Sequence, residues 1–70
     1  MRLSTRNQLK GTIVEVTPGA VMGIVKVRLD GGDQTVTASI TMDAITELGL
    51  TVGQSATVLV KSTEVTIGVE

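Results

Sequence analysis

The sequence predicts an all-β fold, a small Greek-key barrel of five strands with one short helix between the third and fourth strands. Three observations predict it. β-branched residues are dense throughout the chain, apolar and polar residues alternate over several short segments, and turns containing glycine separate those segments. Seventy residues suffice for one domain, which we expect to span residues 1–70.

Three strands are predicted before the helix. Residues 9–17 are dense in Val, Ile and Thr, which favour strands, and the Pro-Gly pair at 18–19 predicts a turn after them. Residues 21–29 alternate between two faces with a period of two. The Asp-Gly-Gly-Asp segment at 30–33 predicts a tight hairpin, which leads to a third alternating strand at 34–41.

A change of period predicts the short helix. Between Thr41 and Gly49 the apolar residues recur at helical spacing. Thr41 is suited to cap the first turn, and Gly49 is suited to the position just after the last turn. Two further alternating segments, 54–61 and 65–69, predict the fourth and fifth strands on either side of a polar break.

The resulting order of three strands, one helix and two strands is that of the OB-fold, a five-stranded Greek-key barrel. An SH3-like barrel is the alternative, although its short helix usually falls elsewhere. Several predicted strands carry apolar residues on both faces, as the neighbours Ile13 and Val14 do. Since only one face can line a barrel, the apolar residues on the other face predict contact with a partner.

The composition excludes several kinds of site. The chain has no Cys, no His and no aromatic residue, which excludes disulfides, the usual zinc sites and stacking platforms for nucleic acid. A formal net charge of -1 provides no basic surface for a phosphate backbone. Without disulfide or metal, a short chain that is 41% hydrophobic is expected to gain stability by associating with copies of itself.

The distribution of apolar residues bears on location. No run approaches the roughly 18 apolar residues that a membrane-spanning helix needs. The first seven residues lack the apolar core of an export signal. We therefore expect no membrane association and a cytoplasmic location.

Catalytic constellations are nearly absent. The acidic pairs, Asp30 with Asp33 and Asp43 with Glu47, are best explained as solvated charges on a hairpin and on a helix. The sequence contains no phosphate-binding loop, no dinucleotide fingerprint and no pair of nucleophile and general base. The prediction is a protein that is not an enzyme.

Two polar segments carry groups that could bind an anion. Residues 4–8 contain Ser, Thr, Arg, Asn and Gln, and residues 61–63 contain Lys, Ser and Thr. Arg6 offers a rigid fork of donors, Lys61 a mobile ammonium group, and the hydroxyls donate at short range. Taken separately, each segment is also what an ordinary solvated surface contains.

Three motifs give these segments a more specific meaning. They are Ser-x-Arg-Asn-Gln-Leu-Lys-Gly at 4–11, Leu-Gly-Leu-x-x-Gly at 48–53 and Val-Lys-Ser-Thr-x-Val at 60–65. Together, in this order and spacing, they resemble the molbindin family, the small Mop-type molybdenum-pterin-binding or molybdate-binding proteins. The resemblance covers essentially the whole chain and agrees with the order of elements predicted from periodicity.

The resemblance implies a function. Molbindins are OB-fold-like barrels that form hexamers, as trimers of dimers, and bind molybdate or tungstate between subunits for storage and homeostasis of molybdenum. The ligand could also be the metal bound to molybdopterin. No side chain is expected to ligate the metal directly, because the oxyanion is held by donors from two chains. The residues that match the family's oxyanion site are Ser4, Arg6, Thr41, Lys61 and Ser62.

The resemblance also implies a second type of oxyanion site near a three-fold axis. The positions that match it are Gly19, Ala20, Val21 and Met22. Relatives often carry a small polar residue at Met22, whose thioether cannot donate a hydrogen bond, so only backbone N–H groups could serve here. Besides Met22, the sequence also differs from the family pattern at Ala44. Many relatives have Ser there, so the hydroxyl contact near the helix start is lost.

Two other functions compete with oxyanion binding. One is an OB-fold module that binds nucleic acid, against which the missing aromatic residues and the net charge of -1 both argue. The other is a purely structural assembly domain whose anion site has no function. Binding of molybdate by an oligomer would support the leading hypothesis, oxyanion binding, and argue against both alternatives.

Overall fold

The computed structural model describes all residues from 1 to 70 and contains four strands, one α-helix and one 3₁₀ turn. The strands form one antiparallel sheet in the order β3-β2-β1-β4. The helix lies between the third and fourth strands, as the change of period predicts. The elements are β1 (Asn7–Thr17), β2 (Met22–Leu29), β3 (Thr35–Thr41), α1 (Met42–Leu48), β4 (Ser55–Val60) and the 3₁₀ turn (Ser62–Glu64).

The central strand, β1, is long enough to pair with two neighbours over different stretches. Its first half pairs with β4, and its second half pairs with β2. A β-bulge between Ile13 and Glu15 shifts the register, so that Ile13 and Val16 both face the core although their positions differ in parity. The bulge therefore explains part of the apolar content that the sequence places on both faces. Across it, the Lys26 ammonium lies 3.5 Å from the Glu15 carboxylate.

The predicted helix is confirmed together with both of its ends. The Thr41 hydroxyl accepts a hydrogen bond of 3.1 Å from the Ala44 backbone N–H, and Gly49 adopts a left-handed φ of 61°. The helix packs over β2 at Gly23, where a Cβ atom would lie 2.5 Å from Ile45 Cδ1. Glycine at this position lets the helix close one end of the curled sheet.

The predicted fifth strand at 65–69 is wrong for the single chain. After the 3₁₀ turn the backbone is extended, but residues 66–70 form no backbone hydrogen bond and pair with no strand. Ile67 and Val69 are 85% and 92% exposed. The alternating pattern is present, but the chain offers no partner to this segment, and a strand exists only where its backbone groups are paired. The structure is thus an all-β domain with a four-stranded curled sheet and one helix.

The core of the chain is small. Only 6 of 70 residues are buried. The one α-helix has seven residues, too few to span a membrane. A folded monomer of this mass is expected to expose about 4,200 Å², whereas this chain exposes 5484 Å². The buried apolar side chains belong to Ile13, Val25, Val27 and Ile45.

Candidate functional site

The segment before β1 is fixed against the end of β4. The Asn7 side-chain amide donates a 3.0 Å hydrogen bond to the Val60 carbonyl oxygen, and the two residues are partners in the sheet. The Gln8 amide donates a 2.7 Å bond back to the Thr5 carbonyl oxygen. These two bonds hold residues 4–6 beside the residues that follow β4.

The 3₁₀ turn after β4 supplies the opposite wall. The Glu64 backbone N–H bonds to the Lys61 carbonyl oxygen at 2.9 Å, and that of Val65 bonds to Ser62 at 3.4 Å. The turn folds residues 61–63 beside the N-terminal segment, so two motifs separated by more than fifty positions in the sequence meet in space.

The result is an open groove of about 440 Å³, which we call the polar groove. It contains two cationic side chains, Arg6 and Lys61, and no carboxylate. Neither cation is in an ion pair, since the ion pair of the chain joins Lys26 to Glu15. The residues that line the polar groove are Ser4, Thr5, Arg6, Leu59, Lys61, Ser62 and Thr63.

The chemistry of the polar groove is that of a receptor for a small anion. Guanidinium, ammonium and hydroxyl groups all donate hydrogen bonds, and charge-assisted bonds to an anion are the strongest of these. All but one of the lining residues are exposed, so the groove is open to solvent in the single chain. A second surface would be needed to enclose a ligand there.

The structure brings together four of the five residues of the predicted oxyanion site and separates the fifth. Thr41 ends the edge strand β3, where it pairs with Met22 near the end of β1. Lys61 follows the opposite edge strand, near the start of β1. Within one chain, Thr41 therefore lies at the other end and the other edge of the sheet from the polar groove.

The predicted second site lies beside Thr41. The segment 19–22 forms the turn from β1 into β2, and the Met42 backbone N–H bonds to the Val21 carbonyl oxygen at 2.8 Å. A Cβ atom at Gly19 would lie 2.2 Å from the Met22 carbonyl oxygen, so the turn requires glycine. The Val21 side chain is 72% exposed. Thr41 and these residues thus form one continuous surface.

Sequence reasoning missed Leu59 as a lining residue of the polar groove, and it named Asn7 and Thr63 only as members of the two polar segments. In the structure Asn7 anchors the N-terminal segment, and Leu59 and Thr63 complete the lining. An amide side chain two residues before the predicted strand at 9–17 is the available indication for Asn7, since such a group can satisfy a carbonyl at a sheet end. Nothing in the alternation distinguishes Leu59 from the other outward residues of β4.

Comparison with known proteins places this chain and its fold in a family. The profile of the TOBE domain matches residues 3–67. The chain is 40% identical over 70 residues to a probable molybdenum-pterin-binding protein of Haemophilus influenzae, with 100% of both chains covered. It is 45% identical over 67 residues to molybdenum-pterin-binding protein 3 of Clostridium pasteurianum, covering 96% of this chain and 97% of that one.

Solved structures agree. MopII from Clostridium pasteurianum, in an apo form, superposes with a TM-score of 0.91 at 38% identity, covering 97% of this chain and 100% of that chain. A molybdate-binding protein from Sporomusa ovata gives 0.88 at 34% identity, covering 96% and 97%. The cytoplasmic molybdate-binding protein ModG, with molybdate bound, gives 0.81 at 42% identity, covering 89% of this chain and 43% of that one. The chain belongs to the TOBE-domain family and, within it, to the small molybdenum-pterin-binding proteins.

Proposed function

We propose that residues 1–70 form a single Mop-type domain that binds molybdate in the cytoplasm, for storage and homeostasis of molybdenum, without catalysing a reaction. The observation that carries the proposal is the polar groove, in which Arg6 and Lys61 lie together with hydroxyl groups and without a carboxylate. The molybdate and molybdenum-pterin binding named for relatives and structural neighbours supports the choice of ligand.

The donors of the groove favour a fully deprotonated tetrahedral oxyanion. Molybdate and tungstate are dianions without protons near neutral pH, so they need donors only. Phosphate is partly protonated and also needs an acceptor, for which a carboxylate would be the strongest choice. Sulfate has the same charge as molybdate but is smaller, so discrimination against it requires a site of fixed size. Tungstate should bind as molybdate does.

A pterin-bound metal is the alternative ligand. A pterin ring is flat and aromatic, and protein sites usually hold such rings by stacking against side chains of the same kind. The chain contains no Phe, Tyr or Trp. The chemistry of this chain therefore favours the free oxyanion over molybdopterin.

We further propose that the binding site is completed by a second copy of the chain, within a hexamer built as a trimer of dimers. The chain exposes about 1,300 Å² more than a folded monomer of its mass is expected to. That excess exceeds the roughly 800 Å² that each partner contributes to a standard interface. Thr41 lies far along the sheet from Ser4, Arg6, Lys61 and Ser62, so it would reach their oxyanion from another subunit.

A second oxyanion site at residues 19–22 is part of the same proposal. These residues lie beside Thr41 on an exposed turn, which makes them available to a neighbouring subunit. Ala20, Val21 and Met22 have no side-chain donor, so the backbone N–H groups would bind the ligand. We expect this site to be weaker than the polar groove, which has two cations.

Native mass spectrometry of the full chain with molybdate, tungstate or sulfate tests the proposal. The expected result is an oligomer, six chains in the complete assembly, that gains molybdate or tungstate adducts and gains none with sulfate at the same concentration. A monomer without adducts contradicts both parts of the proposal. An oligomer that binds no oxyanion leaves the structural assembly domain as the function. Addition of single-stranded DNA to the same samples tests the nucleic-acid-binding alternative.

A further inference from the structure

One residue of the polar groove differs in chemistry from all the others. Leu59 is the single apolar residue of the lining, and it is 43% exposed in the single chain. Every other lining residue carries a hydroxyl, a guanidinium or an ammonium group. The groove therefore has donors over most of its surface, together with one stretch that neither donates nor accepts a hydrogen bond.

The register of the sheet places the Leu59 side chain on the face that bears the groove. Leu59 pairs with Gln8 of β1, and directly paired residues of an antiparallel sheet project their side chains from the same face. The Gln8 amide bonds at 2.7 Å to the carbonyl oxygen of Thr5, which lines the groove. Lys61 follows Leu59 by two residues, the spacing that keeps side chains on one face. Leu59 thus shares this face with both segments that supply donors.

The sheet, and not a loop, fixes the position of Leu59. β4 is paired with β1 along its whole length, from Ser55 to Val60. The Asn7 side chain adds a 3.0 Å bond to the Val60 carbonyl oxygen, next to Leu59. The donor residues of the groove instead precede β1 or follow β4. An ion drawn into the groove by its cations would therefore meet an apolar wall held by a rigid element.

Donor groups alone do not make a groove reject sulfate. Sulfate carries the same charge as molybdate and is smaller, so it can enter a site that admits molybdate. Because its charge is more concentrated, water binds it more strongly, and removing that water costs more free energy. A site disfavours sulfate when part of its surface displaces water and returns no hydrogen bond.

We propose that Leu59 determines the selectivity of the polar groove, as an apolar wall that disfavours sulfate relative to molybdate and tungstate. This role rests on the proposed function and adds to it a residue that carries neither charge nor donor. Against the wall an ion loses water and gains only van der Waals contact, which costs the more strongly hydrated ion more. Enclosure by a second copy of the chain would strengthen the effect, because electrostatic energies grow when bulk water is excluded.

Two substitutions of equal size separate the apolar character of Leu59 from its volume. Thr and Val are both β-branched and suit a strand, but only Thr has a hydroxyl. Leu59→Thr should reduce the ratio of the sulfate to the molybdate dissociation constant at least about tenfold, the effect of roughly one hydrogen bond to an ion. Leu59→Val keeps the wall apolar and should retain most of the selectivity.

Competition calorimetry on the full chain measures these ratios with three tetrahedral dianions of increasing size: sulfate, selenate and molybdate. In the natural chain the dissociation constant should fall in that order, and Leu59→Thr should flatten the series. Leu9→Thr is the matched control, since Leu9 is 39% exposed on β1 and does not line the groove. It should leave the series unchanged.

Sedimentation velocity on each variant comes first, because Leu59 also borders the apolar core residues on the open side of the sheet. If Leu59→Thr does not assemble, Leu59→Asn takes its place, since it also supplies a donor. An unchanged ratio in an assembled polar variant overturns the role of Leu59 and leaves molybdate binding intact. Equal loss of selectivity in Leu59→Val overturns it too, because volume alone would then act. A natural chain that binds none of the three ions overturns the proposed function itself.

Discussion

The two sides of the sheet differ in what the chain supplies for itself. On the helix side, α1 lies over β2 and buries Ile45 against the core, and caps at Thr41 and Gly49 satisfy both ends of the helix. On the open side, Ala38 and Val58 line a groove with nothing over it. The chain therefore covers its core on the helix side by itself, whereas on the open side apolar core residues are left uncovered.

The difference teaches how a very short chain can hold a ligand site. A chain of about this length buries only about 60% of the surface of its unfolded state, so its core alone is marginal. Leaving one side open transfers part of the stabilisation to association with copies of the chain. The polar groove is open to solvent in the single chain, so a ligand site enclosed there would also depend on assembly.

The largest expected effect is on the open side. Ile67→Asp should raise the dissociation constant of the assembly by at least about 100-fold, since it replaces an apolar side chain that is 85% exposed in the single chain by a carboxylate, which is costly to bury between subunits. Sedimentation velocity over a dilution series measures it. Thr66→Asp adds the same charge at the neighbouring polar position of the segment 65–69 and should leave assembly nearly unchanged. Equal effects of the two substitutions would show that added charge, and not the loss of an apolar contact at Ile67, weakens the assembly.

The next effect is on the polar groove. Arg6→Ala removes at least one charge-assisted hydrogen bond, worth about 1.5–3 kcal/mol, so molybdate should bind at least roughly 10-fold more weakly. Lys61→Ala should weaken binding by a smaller factor, because an ammonium group is more strongly hydrated. Isothermal titration calorimetry measures both, and assembly should persist.

Matched controls for the groove lie elsewhere on the surface. Arg28→Ala, on an exposed position of β2 outside the groove, should leave the affinity for molybdate unchanged. Lys10→Ala, on β1, should do the same. If all four variants lose affinity equally, the effect is one of overall charge, and the polar groove is not the site.

Local features of the fold could be predicted because short-range physics determines them. The hairpin at 30–33, the Thr41 cap and the end of the helix at Gly49 each depend on residues within a few positions of one another. The alternation within β2 and β3 agrees with the structure, which buries positions 23, 25 and 27 of β2 and half-buries positions 36, 38 and 40 of β3. These predictions are confirmed without any knowledge of distant contacts.

Features that depend on distant partners could not be predicted in the same way. The alternation at 65–69 indicates a strand, but whether a strand forms depends on which edge is available, and the chain's own edges do not pair with it. The β-bulge after Ile13 likewise reflects pairing with β2. The meeting of Arg6 with Lys61 follows from the pairing of β1 with β4. The motifs predicted that both matter, and the structure brings them together.

The helix side should respond to crowding. Gly23→Ala would place a Cβ atom 2.5 Å from Ile45 Cδ1 and 2.8 Å from Met42 Sδ, which should lower the free energy of unfolding by about 1–3 kcal/mol. Urea denaturation at fixed protein concentration measures it, because assembly makes stability depend on concentration. Gly32→Ala is the control, since no atom lies within 4 Å of its Cβ position. A stable Gly23→Ala variant would mean that the helix side is as loosely packed as the open side.

The smallest effect separates the two roles of Thr41, which caps the helix and, by the proposal, binds the oxyanion of a neighbouring chain. Thr41→Ala removes the acceptor for the Ala44 N–H and should lower the free energy of unfolding by about 1 kcal/mol. Thr41→Asp keeps a capping oxygen and suits the helix dipole, so stability should stay within about 0.5 kcal/mol. Its carboxylate would repel a dianion, so calorimetry should show weakened molybdate binding in a protein of normal stability. Unchanged affinity in Thr41→Asp would leave Thr41 as a helix cap only and confine the site to the polar groove.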